Sequence, residues 1–208
     1  WTNAGDGDYS VASNWNKGVP GVAEAGDSAL INNGSNVTLS ASLPNTIAGL
    51  SVSASSGAVA GSKLTVATGG ILQMTSSATV GSVADGALAV TGGTLSTTGI
   101  NLGTNGHTGT LDISDGSLTM STLNMAAGST AGTTSIFNLS GGTVTVTGLA
   151  FQVGLGTNNT VHDNYQATIN QSGGTLNTSR VNLGYYGDGT FNLSGGTLNN
   201  SGDIFIAN

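Results

Sequence analysis

The segment Phe191-Asn192-Leu193-Ser194-Gly195-Gly196-Thr197-Leu198 decides the fold, because the chain repeats its pattern many times. Earlier copies of the pattern begin at Leu64, Leu88, Leu111, Phe137 and Ile169. The first glycine of each pair, or Asp115 in its place, recurs at spacings of 23, 23, 26, 32 and 22 residues. A repeat of this length is one supersecondary unit that cannot bury its apolar face alone, so successive units must stack.

Each repeat holds three short segments in which apolar and polar residues alternate, separated by glycine-rich corners. This pattern predicts an all-β fold, a single-stranded parallel β-helix (β-solenoid) with three short strands per coil of about 22 residues. Glycine suits the corners because the chain must turn sharply there, often with positive φ. The longer spacings indicate insertions, and residues 103–109 and 154–167 are expected to protrude as loops.

The two ends of the chain depart from the repeat. Residues 1–60 contain Trp1, Trp15 and both prolines, and are interpreted as an N-terminal capping segment with the first irregular coils. Residues 61–208 are interpreted as regular β-solenoid repeats whose last coil is incomplete. Its second strand, around Ile204 to Ile206, is expected to expose an edge that pairs with more chain or with another subunit.

The amino-acid composition argues against several classes of function. With three Lys and Arg against ten Asp and Glu, the net charge of -7 argues against nucleic acid as a partner. No apolar run approaches the roughly 18 residues of a membrane span, so no membrane insertion is expected. The absence of cysteine fits an extracellular repeat protein that is stabilised by stacking.

Outward-facing positions form columns that are as regular as the inward ones. One column holds Asn138, Asn170 and Asn192; a second holds Asn101, Asn124, Gln152 and Asn182; a third holds Thr94, Ser117, Thr143, Thr175 and Thr197. Stacked amides and hydroxyls are expected to hydrogen-bond along the rod. A Thr-x-Thr lattice would also suit an ice-binding face, a minor alternative because Asn177 and Asn199 interrupt it. Gln171 occupies an inward position and is either hydrogen-bonded inside or rotated out at a bulge.

The sequence offers little catalytic chemistry, and we predict neither an enzyme nor a cofactor. Asp112 and Asp115 are three apart, so on a strand they face opposite sides, and His107 and His162 lie in separate insertions. Three further carboxylates are weak calcium candidates: Asp6, Asp8 and Asp27. They lack a calcium-loop spacing, so turn formation is the favoured interpretation.

The N-terminal segment also carries a family resemblance. Trp1, the stretch from Asp8 to Trp15, Val19-Pro20-Gly21 and Val37-Thr38-Leu39 precede the Ser-Gly-Gly-Thr-Leu coils. Together they resemble the large bacterial surface proteins with autotransporter-associated β-strand repeats. The resemblance implies a passenger-like β-helix at the cell surface or outside the cell, serving as a stalk, adhesin or filament subunit.

The leading hypothesis is therefore an extracellular structural or adhesive β-solenoid that assembles head to tail into a homopolymer, or continues into further repeats. The expected assembly interface comprises Ile204, Phe205 and Ile206 at one end and Trp1 and Trp15 at the other. The alternative is a carbohydrate-binding or polysaccharide-processing β-helix that stacks surface glycans on Tyr165, Tyr185 and Tyr186.

Overall fold

A computed structural model shows the chain as a β-solenoid of about seven coils, which confirms the predicted fold class. It describes residues 1–22, 24–126, 130–154, 165–184 and 187–206, without the side chains of residues 149 and 150. In these ranges there is no α-helix, and a 3-10 turn spans Ala12–Asn14. All pairings between the strands of the described ranges are parallel.

The strands are β1 (Gly7–Asp8), β2 (Ser28–Ile31), β3 (Asn36–Leu39), β4 (Gly49–Val52), β5 (Ser62–Ala67), β6 (Ile71–Gln73), β7 (Ala78–Val80), β8 (Gly86–Leu102), β9 (Thr108–Met125), β10 (Thr134–Leu139), β11 (Thr143–Val153), β12 (Gln166–Gln171), β13 (Thr175–Thr178), β14 (Val181–Leu183), β15 (Asp188–Leu193), β16 (Thr197–Asn200) and β17 (Ile204–Ile206).

The strands form three faces of the rod. The first face runs from β2 through β4, β7 and the last parts of β8, β9 and β11 to β14 and β17. The second face runs from β1 through β3, β5, the first parts of β8 and β9, β10 and β12 to β15. The third face begins at β6 and ends at β16. The three predicted strands per coil are confirmed by this arrangement.

Two central strands are longer than the sequence pattern predicts. β8 has 17 residues and β9 has 18, and each runs around the corners of its coil. The two coils pair from Gly86 to Leu102, with register shifts only beside Thr91. Their equal spacing of 23 residues explains the difference, because neighbouring corners then lie above each other and the ladder continues through them.

The core is a set of apolar columns inside the rod. On the second face, the inward residues Val37, Leu64, Leu88, Leu111, Phe137 and Ile169 are all fully buried. Each such side chain contributes about 1.5 to 3 kcal/mol to folding through its removal from water. Gln171 is also fully buried, and its Nε2 donates to the carbonyl oxygen of Thr197 at 2.9 Å. Of the two alternatives for Gln171, the structure therefore has the amide hydrogen-bonded inside.

An aromatic cluster closes the N-terminal end of the core. The Trp15 ring packs edge-on against Trp1, with ring centroids 5.1 Å apart, and against Tyr9, at 4.7 Å. Trp15 Nε1 donates to the carbonyl oxygen of Tyr9 at 2.7 Å. The strands β2, β3 and β4 already belong to the solenoid sheets, so the proposed boundary at residue 60 stays a prediction.

Candidate assembly surface at the C-terminal coil

The C-terminal coil presents a sheet edge. Within the described residues, β15, β16 and β17 pair only with the preceding coil, through β12, β13 and β14. Four apolar side chains of this coil are exposed: Leu193 by 54%, Ile204 by 50%, Phe205 by 51% and Ile206 by 76%. The residues opposite Leu193 and Ile204 in the preceding coil, Gln171 and Val181, are buried, so this edge combines backbone that has no described partner with an open cross-section of the core.

The backbone of β17 is oriented for further pairing. The Val181 N–H donates to the Asp203 carbonyl oxygen at 3.1 Å, and Val181 lies opposite Ile204 in the parallel register. In a parallel ladder alternate residues direct their N–H and C=O groups to opposite sides. The peptide groups of Ile204 and Ile206 therefore point away from β14 and toward solvent.

Phe205 is the one outward residue of β17, and a cation covers it. The guanidinium carbon of Arg180 lies 5.2 Å from the centroid of the Phe205 ring. Such a contact at an exposed site contributes about 0.5 to 1 kcal/mol. The contact between Arg180 and Phe205 arises only when consecutive coils stack, so the sequence pattern alone does not reveal it.

Amide ladders run along the rod toward this edge. Asn192 Nδ2 donates to Asn170 Oδ1 at 2.9 Å, Asn170 to Asn138 at 2.9 Å, and Asn138 to a carboxylate oxygen of Asp112 at 2.8 Å. Asn199 donates in the same sense to Asn177 at 2.9 Å. The predicted columns are confirmed by these bonds and by the strand registers, including the column from Thr94 to Thr197.

The other predicted interface residues lie in the cap at the opposite end. Trp1 is 8% exposed and Trp15 is 7% exposed, because their rings close the core. The two tryptophans therefore offer little apolar surface to a neighbour. Their contact with Ile204, Phe205 and Ile206 of another copy stays a prediction.

Two of the three carboxylates that were weak candidates for binding calcium, Asp6 and Asp8, accept hydrogen bonds from the protein itself. The Asp6 carboxylate accepts from the Asn36 backbone N–H at 2.7 Å and from its side-chain amide at 3.1 and 3.2 Å. These bonds lower the pKa of Asp6 below its ordinary value. Asp8 accepts from the N–H and hydroxyl of Ser10 at 2.7 and 2.6 Å. In the described part of the chain no group of three or more His, Asp or Glu could hold a metal ion.

Asp27 lies near a different group, the hydroxyl of Tyr9. Burial, with a smaller contribution from the negative charge of Asp27, raises the pKa of Tyr9 above its ordinary value. The structure therefore gives Asp6, Asp8 and Asp27 separate surroundings and does not assemble them into one ligand set.

Of the three tyrosines that were predicted to stack on glycans, the structure describes one. Tyr165 is only 2% exposed and belongs to the core, so it presents no ring face to a sugar. Tyr185 and Tyr186 lie outside the described residues, as does His162. A cleft of about 560 Å³ is bordered by Gly184 and Gly187, the residues that flank these two tyrosines. His107 lies in a corner turn, where its N–H donates to the Thr104 carbonyl oxygen at 3.2 Å.

No family model, curated protein or solved structure matches this chain. The structure supports a β-helix repeat protein, while the resemblance to autotransporter-associated repeats rests on the sequence pattern. Within the part of the chain that is described, no helix is long and apolar enough to cross a membrane.

Proposed function

We propose that this chain is a non-enzymatic, extracellular structural rod of a bacterial surface, a stalk or filament subunit that assembles head to tail. The observation that carries the proposal is the C-terminal coil, whose backbone edge has no partner strand among the described residues and which exposes Leu193, Ile204, Phe205 and Ile206 by half or more. A surface of this kind is normally covered in proteins, because it pairs readily with another strand.

Strand addition is the mechanism by which this edge would work. A parallel strand of a second copy supplies N–H and C=O partners to β17, and the end of that copy covers the exposed side chains of Ile204 and Ile206. The two ends of the rod are different surfaces, so the contact is heterologous and produces filaments when the rotation does not close. Eight strands, from β2 to β17, stack on the first face at a spacing of about 4.8 Å, so each head-to-tail copy adds an axial repeat of about 38 Å.

The distribution of charge supports a scaffold role. Only 6% of the residues are charged. The carboxylates of Asp6, Asp8, Asp85 and Asp112 accept hydrogen bonds from neighbouring backbone or side chains. General acid-base catalysis needs positioned groups that are free to exchange protons, and these four are used to connect one segment with the next.

Electron microscopy and sedimentation velocity over a range of concentrations test the proposal. The expected result is fibres of uniform width whose mass grows with concentration and whose axial repeat is about 38 Å. Monodisperse monomers at the highest attainable concentration contradict the assembly. The extracellular location is tested separately by labelling intact source cells with an antibody to the rod.

A polysaccharide-binding role is the second candidate, favoured by the cleft of about 560 Å³ that Gly184 and Gly187 border. A glycan array with the purified rod tests it. Binding that is lost in Tyr185→Ala and Tyr186→Ala, and kept in Val83→Ala on the middle of the rod, favours this role. Absence of reproducible binding together with concentration-dependent fibres favours the filament.

A further inference from the structure

The first face has a complete strand at each end of the rod. Following the registers coil by coil, Ala29 and Ile204 occupy the same inward column, as do Ile31 and Ile206. Leu30 and Phe205 occupy the outward column between them. β2 and β17 are therefore the first and last strands of one ladder, with the same sequence of inward and outward positions.

The outward column of this face is apolar only at its two ends. The positions between them are all polar: Ser51, Thr79, Asn101, Asn124, Gln152 and Asn182. Leu30 is 37% exposed and Phe205 is 51% exposed. The two ends of this column therefore differ in residue type from every coil between them, and Phe205 is partly covered by Arg180 of its own chain.

Exposed apolar residues concentrate at the ends of the rod as a whole. Of ten large apolar side chains that are exposed in the described residues, seven lie in residues 1–30 or in the last coil. These seven are Val11, Val22, Leu30, Leu193, Ile204, Phe205 and Ile206. Both ends, and not the C-terminal one alone, therefore have apolar surface that an end-to-end contact would bury.

The backbone at β2 is complementary to that at β17. β2 pairs with β4 on one side, and no described strand pairs with its other edge. The Leu30 carbonyl points away from β4, because it accepts on that side from the Trp1 backbone nitrogen at 2.7 Å, so Trp1 of the cap occupies part of this edge. The Leu30 N–H and the Ser28 carbonyl share that direction, since they alternate with the groups bonded to β4. A groove of about 190 Å³ runs beside them, lined in part by Trp1, Trp15 and Lys17.

We propose that β17 of one copy adds in parallel to β2 of the next, with Phe205 packed beside Leu30. Ile204 N–H then donates to the Ser28 carbonyl, and Leu30 N–H donates to the Ile204 carbonyl. Ile206 N–H shares the Leu30 carbonyl with Trp1, because a carbonyl oxygen has two lone pairs. The occupant of this edge is a second copy of the chain, so the inference rests on the proposed head-to-tail assembly and specifies its face and register.

The other two faces are less suited to the contact. The second face begins with β1, a strand of two residues, whose Asp8 lies in the same column as Asn192. Asn192 donates its amide back to Asn170, so its Oδ1 would meet the Asp8 carboxylate, which is also an acceptor. The third face has no described strand before β6. The first face alone has a strand of three or more residues in both the first and the last described coil.

Cysteine cross-linking tests the register, because the native chain has no cysteine. Leu30→Cys and Phe205→Cys chains are mixed at a concentration that supports fibres and treated with a short bis-maleimide. Paired strands lie about 4.8 Å apart, so the mixture is expected to give a cross-linked dimer that neither variant gives alone. The matched control mixes Thr79→Cys with Phe205→Cys, whose sulfurs are separated by about three strand spacings, roughly 14 Å. Cross-linking of Leu30→Cys with itself would indicate a symmetric contact and overturn the inference.

Polar substitutions test the same contact without a covalent bond. Phe205→Asn and Leu30→Ser give the end positions the residue types of the adjoining coils, Asn182 and Ser51, so the fold is expected to tolerate them. Each should raise the concentration needed for fibres by at least about tenfold, the loss expected for a central apolar contact. Val83→Asn, at a residue 40% exposed away from the ends, is expected to leave it unchanged.

The outcomes separate this inference from the assembly itself. Fibres whose concentration dependence is unchanged in Phe205→Asn and Leu30→Ser, with no mixed cross-link, overturn the register while head-to-tail assembly stands. Failure of the unsubstituted chain to form fibres overturns both. The mixed cross-link together with weakened assembly of both polar variants supports both.

Discussion

Replacing Gly116 by alanine tests whether close contact between corners holds successive coils together. Gly116 has a φ of +84°, and a Cβ there would lie 2.2 Å from the Gly93 carbonyl oxygen and 2.9 Å from the Gly93 nitrogen. Both neighbours are backbone atoms of the preceding coil. The coils cannot separate locally, because β8 and β9 are hydrogen-bonded on both sides of the corner, at Val90 with Ile113 and at Thr94 with Ser117.

Gly132 provides a matched control for this substitution. Its φ is +86°, nearly the same, but a Cβ there would have no described atom within 4 Å. Alanine at either position therefore carries the same left-handed backbone cost, about 1 to 2 kcal/mol. At Gly116 the overlap with backbone adds an overpacking cost, typically about 1 to 3 kcal/mol and occasionally more. We expect Gly116→Ala to reduce the free energy of unfolding by about 2 to 3 kcal/mol more than Gly132→Ala.

Urea unfolding followed by far-ultraviolet circular dichroism measures this difference. The dependence of the unfolding free energy on urea should be equal in the two variants, so that the comparison concerns the same cooperative unit. A difference below about 1 kcal/mol would refute the reasoning, because the left-handed backbone would then account for the whole effect. A larger loss in Gly132→Ala would refute it as well.

Three further predictions concern polar groups. Asp112→Ala should cost about 1 kcal/mol in urea unfolding, because it removes the acceptor of Asn138, whereas Asp112→Asn keeps an acceptor and should be nearly neutral; equal losses would contradict this. Gln171→Leu removes the buried Oε1, which has no described partner, together with the bond from Nε2 to the exposed Thr197, whose carbonyl can then bind water. We expect the fold to be stabilised by about 1 kcal/mol, and a loss of stability would show that the Nε2 bond outweighs the unpaired oxygen. The pKa of Asp6 is lowered in the folded state, so its bonds to Asn36 stabilise the fold above about pH 4, and this stabilisation is lost as the pH falls through the lowered pKa. NMR titration should give Asp6 a pKa below that of an ordinary aspartate. Asp6→Asn should weaken the dependence of the unfolding free energy on pH in the acid range.

The coil architecture could be predicted because the repeat is long, regular and self-consistent. The Gly-Gly pairs mark the corners, and alternation on either side of them assigns each apolar residue to the core. The columns from Asn138 to Asn192 and from Thr94 to Thr197 follow from the same alignment, and the structure places them in register. A repeat therefore predicts which residues are neighbours, because one alignment fixes them all.

The burial of side chains in the irregular segments was harder to predict than which residues lie opposite each other in the repeats. Tyr165 and Trp15 stand outside the regular repeat, where aromatic residues suggest a binding surface as readily as a plug for the core. In the structure Tyr165 is 2% exposed and Trp15 is 7% exposed. Burial at an irregular segment depends on which coil it folds over, and alternation in the sequence carries no information about that.

The relation between the two ends of the first face depends on the register of every intervening coil. The spacings of 26 and 32 residues shift the counting between repeats, so Leu30 and Phe205 can be assigned to one column only by following the strand pairs across the whole rod. An isolated leucine in the second strand would otherwise be read as an ordinary surface residue. Leu30 stands out because every residue between it and Phe205 in this column is polar. The inner coils therefore show that a solvent-facing residue at this position is ordinarily polar. The same reasoning applies to any solenoid with different ends: outward residues that break the composition of their column at a terminal coil are the first candidates for an end-to-end contact.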